Sequence, residues 1–286
     1  MIIESYNVKD MYVALKDSAA TVDAYIQPYN DEINLRKLPA MIIFPGGGYC
    51  LTCHREGEPV AIEFASRGYQ CFIVWYSCAP TQYPQQLLEA AATVAFVRKN
   101  AEKFNVDPDR ISVMGFSAGG HLAAMSGTLF GDEVVTSSLN EPKELTRPDA
   151  MVLCYPVISF GEFAHKGSAI SLLGTNKDNK ELIHKLSLEN AVTPESAPAF
   201  IWATVNDSCV PSENSLAMAA ALKANGVEFE LHLYAFGPHG ISMADRQSYA
   251  QGYTRPEAAR LSHWVQECDG WLSEHFAREE KNKAEA

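Results

Sequence analysis

The chain has 286 residues, of which 47% are hydrophobic, and its formal net charge at pH 7 is −12. This length and apolar content predict one folded domain over residues 1–286 and argue against an intrinsically disordered chain. The acidic charge disfavours nucleic acid and anionic membrane surfaces as partners, because both repel negative charge.

The sequence shows no signal for export or membrane insertion. Its longest apolar stretches, such as 90–97, are too short to cross a bilayer, and residues 1–5 lack the basic and apolar regions of a signal peptide. The seven cysteines are an odd number, and several lie in apolar runs, which is typical of reduced thiols. We therefore expect a cytoplasmic protein, for which a homo-oligomer is compatible with the sequence.

Short apolar runs alternate with helical patterns along the chain. This alternation is typical of an α/β fold whose mostly parallel central sheet carries helices on both faces. The predicted strands are Val22–Ile26, Met41–Phe44, Cys71–Tyr76, Ile111–Met114, Met151–Tyr155, Phe200–Val205 and Glu228–Tyr234. The last run alternates apolar and polar residues, which predicts a half-exposed strand near the sheet edge.

Helices are predicted between and after these strands from apolar spacing and from start and stop signals. They run from Pro59 to Gly68, over Gln85–Phe104, from Ser212 to about Ala224, and from a capping box at 254–257 into an apolar-striped terminal segment. Residues 107–109, Asp-Pro-Asp, read as a turn.

The segment 159–198 is too long for a tight connection between two strands. It is polar and mixed, with short helical patterns at 168–173 and 181–186. Because a long insertion in a compact domain is usually functional, we expect this segment to form a cap over the active site.

Residues 115–119, Gly-Phe-Ser-Ala-Gly, match the G-x-S-x-G nucleophile elbow, in which a strand-to-helix turn presents a serine hydroxyl. An apolar strand-like run precedes the motif and a small-residue, helix-compatible run follows it. Ser117 is therefore the candidate nucleophile.

A serine nucleophile needs a base and an orienting acid. In proteins with a G-x-S-x-G elbow, the acid follows the serine along the chain and the histidine follows the acid. Asp207 follows the predicted strand 200–205, and His239 follows the next predicted strand within Gly-Pro-His-Gly. His121, four residues after Ser117, is expected to be a packed histidine, because the base must come from another loop.

The glycine-rich run Pro45–Tyr49 follows a predicted strand and fits an oxyanion loop. We expect the backbone amides of Gly47, Gly48 and Ala118 to stabilise a developing oxyanion. Tyr49 comes directly after the glycines and is expected to line the substrate pocket.

These motifs together resemble the α/β-hydrolase superfamily, and they are most similar to small bacterial esterases of the acetyl esterase/acetylxylan esterase type. The resemblance spans about residues 41–242 and includes REGEPVA at 55–61 and GFSAGGHLAA at 115–124. Pro45 stands where the hormone-sensitive-lipase-like group usually has histidine, which sets the chain apart from that group. The resemblance implies short acyl esters as substrates, often acetyl groups on carbohydrates.

The sequence therefore predicts an α/β-hydrolase fold and a serine carboxylester hydrolase that acts on a small-molecule ester, with an acetylated sugar as the implied class. Its chemistry uses no cofactor and no metal. A serine peptidase and an arylformamidase of the same fold remain alternatives, as does a non-catalytic binding protein that reuses the fold.

Overall fold

The computed structural model describes residues 1–32, 37–248 and 260–285. Within them the strands form one eight-stranded sheet in the order β1-β2-β4-β3-β5-β6-β7-β8. The strands are β1 (Ile2–Asn7), β2 (Thr21–Ile26), β3 (Leu38–Phe44), β4 (Gln70–Trp75), β5 (Val106–Phe116), β6 (Ala150–Cys154), β7 (Ala199–Thr204) and β8 (Phe229–Tyr234). The pairs that involve β2 are antiparallel and the remaining pairs are parallel, which confirms the mostly parallel sheet.

Helices cover both faces of the sheet. They are α1 (Glu58–Ser66), α2 (Gln85–Lys99), α3 (Ala118–Thr128), α4 (Glu133–Leu139), α5 (Lys143–Thr146), α6 (Lys166–Leu173), α7 (Lys180–Lys185), α8 (Glu213–Ala224) and α9 (His263–Glu285). α1 and α9 pack on one face, whereas α2, α3 and α8 pack on the other. In β3, the side chains of Met41 and Ile43 pack on the face covered by α1 and α9, whereas that of Ile42 packs on the opposite face. This alternation arises because successive side chains of a strand point to opposite faces of the sheet.

The terminal helix and the edge strand match their sequence patterns. In α9 the apolar stripe, which includes Trp264, Cys268 and Leu272, is buried in the core. β8 lies at the sheet edge and is half-buried throughout. The predicted capping box at 254–257 lies outside the described residues. No helix in the described ranges has the length and apolar character needed to cross a bilayer.

One predicted helix end and one predicted turn are wrong. The helix predicted to reach Phe104 ends at Lys99, because Asn100 occupies its C-cap and donates a side-chain hydrogen bond of 2.8 Å to the Phe96 carbonyl. The predicted turn at 107–109 is instead part of β5, whose pairing with β3 shifts register at this end of the strand.

Candidate active site

Ser117 lies at a sharp turn between the end of β5 and the start of α3. Its backbone has φ 55° and ψ −117°, a strained conformation for a residue with a side chain. The flanking glycines make this turn sterically feasible. A Cβ atom on Gly115 would lie 1.9 Å from the carbonyl oxygen of Gly119, and one on Gly119 would lie 2.1 Å from that of Phe44.

The structure brings Ser117, Asp207 and His239 together, although each follows a different strand. Nε2 of His239 lies 2.8 Å from Oγ of Ser117, and its Nδ1 lies 2.7 Å from Oδ2 of Asp207. The carboxyl ends of parallel strands meet at one edge of a sheet, which explains why three distant loops converge. The resulting chain of hydrogen bonds can take a proton from the serine hydroxyl to the imidazole.

Asp207 is held in its ionised form by its surroundings. Its side chain is 1% exposed, and Oδ1 accepts hydrogen bonds from the amides of Cys209 at 2.8 Å and Val210 at 3.0 Å. Burial acts to raise the pKa of Asp207, but the bond and charge of His239 and the two amides outweigh it and lower that pKa. The carboxylate thus accepts a hydrogen bond from the Nδ1–H group of His239, which leaves Nε2 to face the serine hydroxyl.

The glycine-rich loop lies directly against Ser117, the predicted nucleophile. The Gly46 amide donates to Oε2 of Glu56 at 2.8 Å, and the Gly46 carbonyl accepts from the amide of Cys53 at 2.9 Å. A Cβ atom on Gly46 would lie 3.1 Å from Cβ of Ser117. The first glycine of the loop is therefore an anchor, and its amide is already engaged.

The amides of the next two glycines remain available. Gly47 and Gly48 have φ values of 137° and 65°, and within the described ranges neither amide donates to a protein acceptor. Ala118 is the first residue of α3, where backbone amides have no acceptor inside the helix. The three predicted oxyanion donors thus lie on the two segments that border Ser117.

The structure does not bring the Tyr49 side chain to the open site. Tyr49 is fully buried, its hydroxyl lies 2.9 Å from Nδ1 of His121, and its ring packs edge-on against Tyr76. Because φ of Tyr49 is 60°, the chain turns the ring into the core after the last glycine. The Tyr49 side chain therefore packs in the core beneath the glycine-rich loop instead of lining a pocket.

His121 is a packed histidine, as its position on the nucleophile helix predicts. It is fully buried, its Nε2 donates to the carbonyl of Leu186 at 2.8 Å, and its ring stacks on Phe160 with centroids 4.6 Å apart. Both partners belong to the segment 159–198. His121 therefore joins this segment to α3, the helix that follows Ser117.

A BD-FAE family model matches residues 25–222, more than half of the chain. The chain belongs to the BD-FAE family. Endo-1,4-beta-xylanase B of Butyrivibrio fibrisolvens is 37% identical over 227 residues, covering 78% of this chain and 35% of that protein. Acetylxylan esterase of Xylanibacter ruminicola is 33% identical over 208 residues, covering 71% of this chain and 41% of that protein. The chain thus spans well under half the length of these relatives.

The structural comparison covers nearly the whole of both chains. The acetyl ester-xyloside bifunctional hydrolase of Caldicellulosiruptor lactoaceticus is 40% identical, with a TM-score of 0.77 and coverage of 89% of this chain and 88% of that one. These similarities confirm the predicted resemblance and fold. They place this BD-FAE domain in the α/β-hydrolase fold, beside a solved structure that is named as an acetyl ester hydrolase.

Several residues around the site were not predicted from the sequence. Nδ1 of His165 accepts from the amide of Ser168 at 3.2 Å and so caps α6, and Oγ of Ser168 lies 3.9 Å from the position of a Cβ on Gly48. Burial and the charge of His239 lower the pKa of His165, against an opposing effect of Asp207. These contacts bring the segment 159–198, which is predicted to cap the site, close to the glycine-rich loop. Its mixed composition did not indicate which of its residues make the contacts.

The buried His121 predicts a pH-dependent stability that one substitution removes. Burial lowers the pKa of His121 to about 4, despite the opposing bond to Leu186. The unfolded chain then binds more protons than the folded one between about pH 6.5 and 4, so the free energy of unfolding falls as the pH falls through this window. Over 2.5 pH units the loss is about 3 kcal/mol. Urea unfolding of the wild type and H121Q at several pH values measures it.

H184Q is the matched control for this experiment, because His184 is an exposed histidine on α7. The free energy of unfolding of H184Q should follow the wild-type pH dependence, whereas that of H121Q should fall less on acidification. Identical slopes for all three proteins would show that His121 does not carry this acid sensitivity.

Proposed function

We propose that this BD-FAE domain is a serine carboxylester hydrolase in which Ser117, His239 and Asp207 form the catalytic triad. The observation that carries the proposal is the pair of hydrogen bonds, 2.8 Å and 2.7 Å, that connects the three side chains. They occur on an elbow whose backbone strain holds the hydroxyl away from the strand and helix.

In this mechanism Ser117 Oγ attacks the ester carbonyl carbon while Nε2 of His239 accepts the hydroxyl proton. Asp207 stabilises the imidazolium that forms and keeps its Nδ1–H directed inward. The imidazolium then donates its proton to the departing alcohol, which leaves an acyl group on the serine. Water, activated by the same imidazole, attacks the acyl-enzyme and releases the carboxylic acid.

We assign the stabilisation of the negative charge that develops on the carbonyl oxygen to the backbone amides of Gly47, Gly48 and Ala118. Such preorganised donors act where solvent is excluded, and one of them is typically worth about 10²–10³ in rate. The engagement of the Gly46 amide by Glu56 supports this assignment, because it leaves the following two amides as the donors of the loop.

The proposed substrate is a small-molecule ester with a short acyl group, and specifically an acetyl group on a carbohydrate. The names of two relatives, an acetylxylan esterase and an acetyl ester-xyloside bifunctional hydrolase, support this class. We further propose that residues 1–286 form one domain in which the segment 159–198 caps the site. The contact of Ser168 with the Gly48 position supports a roof close to the oxyanion loop.

A roofed site predicts a steep dependence on acyl length. Each methylene that fits adds at most about 1 kcal/mol of binding, whereas one that clashes costs about 1–3 kcal/mol. In a series of p-nitrophenyl esters, kcat/KM should therefore be highest for acetyl or butyryl and fall at least about 10-fold at octanoyl. Acetylated xylo-oligosaccharides should release acetate when incubated with the protein.

The same panel separates the proposed substrate from its alternatives. A maximum at octanoyl or longer would contradict the short acyl pocket and indicate a lipase. Faster turnover of an N-formyl arylamide or a peptide amide than of any ester would indicate an arylformamidase or a peptidase. Absence of any hydrolysis would favour a binding protein.

A further inference from the structure

Glu56 is a buried carboxylate that the mechanism above does not use. It is 2% exposed and lies just before α1, in the stretch between the oxyanion loop and that helix. Its Oε2 accepts the amide of Gly46 at 2.8 Å, and its Oε1 accepts the hydroxyl of Tyr155 at 2.7 Å. One carboxylate therefore joins the oxyanion loop to a residue at the end of β6.

Tyr155 extends this connection to the catalytic base. Its ring packs against the ring of His239 with centroids 5.0 Å apart and an interplanar angle of 69°. Its hydroxyl also accepts the amide of Ser242 at 2.8 Å, which lies three residues after His239. Because the hydroxyl oxygen already accepts that amide, its own proton is directed to Glu56.

The hydrogen-bond pattern fits the ionised form of Glu56. Both groups that face its oxygens are donors, and the ionised carboxylate accepts both bonds without a competing proton of its own. Burial raises the pKa of Glu56 above its usual value, and the bonds from Tyr155 and Gly46 and the charges of Arg55 and His239 offset only part of that rise. A negative charge here favours the imidazolium that forms during attack.

We propose that Glu56 is a positioning residue of the esterase: it fixes the oxyanion loop through Gly46, supports His239 through Tyr155, and stabilises the protonated imidazole electrostatically. This inference rests on the proposed serine hydrolase mechanism. Glu56 touches neither the substrate nor the nucleophile in it. The Glu56 carboxylate thus connects the oxyanion loop with the catalytic base, two parts of the site that must act in the same step.

Other ionisable groups surround this pair and bear on the pH dependence. Cys53, Arg55, Tyr76 and Cys154 interact electrostatically with Glu56, and Asp207 and His165 interact with His239. Burial raises the pKa of each of the two thiols and of the Tyr76 phenol, so these three groups stay neutral near pH 7. The substitutions below leave all six groups in place.

The test compares Glu56→Gln with Glu58→Gln by the pH profile of kcat/KM on p-nitrophenyl acetate. Glutamine keeps the shape but removes the charge and sets a donor against either Gly46 or Tyr155. We expect kcat/KM to fall about 100-fold, as for a misplaced catalytic group, and the acidic limb of the profile to move to lower pH. A merely structural role would lower the rate without moving that limb.

Glu58 is the matched control, because it is an exposed glutamate two residues away that also accepts a tyrosine hydroxyl, that of Tyr25 at 3.2 Å. E58Q should keep the wild-type rate and profile. If E56Q behaves like E58Q, or loses rate while its acidic limb stays in place, the positioning role is overturned. A wild type that hydrolyses no ester and reacts with no fluorophosphonate overturns the proposed function, and with it this inference.

Tyr155→Phe keeps the test decisive if E56Q does not fold. It removes the hydroxyl that links Glu56 to the base but leaves the carboxylate and the aromatic ring. We expect kcat/KM to fall by about 10-fold or more, without the shift of the acidic limb to lower pH that loss of the charge produces. Full activity of Y155F would overturn the link.

Discussion

Replacement of Ser117 by alanine is expected to lower kcat for p-nitrophenyl acetate by about 10⁴-fold or more, because no other group takes over the attack on the carbonyl. The fold should persist, since the backbone of the elbow is fixed by its neighbours. The Ser117 amide donates to the carbonyl of Cys154 at 3.0 Å, and its carbonyl accepts the amide of Val157 at 3.0 Å. Steady-state kinetics and thermal unfolding measure the two effects.

Ser126 offers a control on the same helix. It is buried, and its hydroxyl donates to the Leu122 carbonyl within α3 at 3.0 Å, away from the catalytic hydroxyl. S126A should retain wild-type turnover. Substantial esterase activity in a folded S117A protein would show that another group is the nucleophile.

Replacement of Asp207 by asparagine is expected to reduce kcat by about 10⁴-fold while leaving the loop in place. Asparagine is the same size and can still accept the amides of Cys209 and Val210. It presents no negative charge to Nδ1 of His239, and its amide group favours the wrong tautomer of the imidazole. The rates of wild type and D207N should be measured on one substrate across the pH range.

The pH dependence of the wild type belongs to the same prediction. The pKa of Asp207 is lowered, so its carboxylate stays ionised through the assay range. The limb of kcat/KM should therefore come from the imidazole base, with the rate rising as the pH rises and the base loses its proton. D269N is the control, since Asp269 accepts hydrogen bonds from Arg67 and Tyr69 elsewhere on the surface. A flat profile, or a fully active D207N, would assign the acid–base work to another pair.

The convergence of Ser117, Asp207 and His239 could be predicted because the sequence signals of the three loops are local. Ser117 follows an apolar run and lies between glycines that a strand-to-helix turn requires. Asp207 and His239 each follow an apolar strand pattern, and a parallel sheet brings such positions together. The order of the three residues along the chain then suffices to pair them.

The connection through Glu56 could not be predicted in this way. Glu56 and Tyr155 are 99 residues apart, and neither position belongs to a short motif that implies the other. The inward turn of Tyr49 depends on packing against Tyr76 and His121, which a linear pattern does not show. β1 is exposed at the sheet edge and carries only a weak strand signal, because edge pairing with β2 stabilises it more than burial does.

Covalent labelling with a fluorophosphonate tests the central claim most directly, because the reagent reacts with a serine only when a base and an oxyanion hole activate it. Intact mass followed by peptide mapping locates the adduct. We expect a single phosphonyl group on Ser117 in the wild type, abolition of ester hydrolysis in proportion to labelling, and no adduct in S117A. An adduct on another residue, or an unlabelled wild type that still hydrolyses esters, would contradict the account.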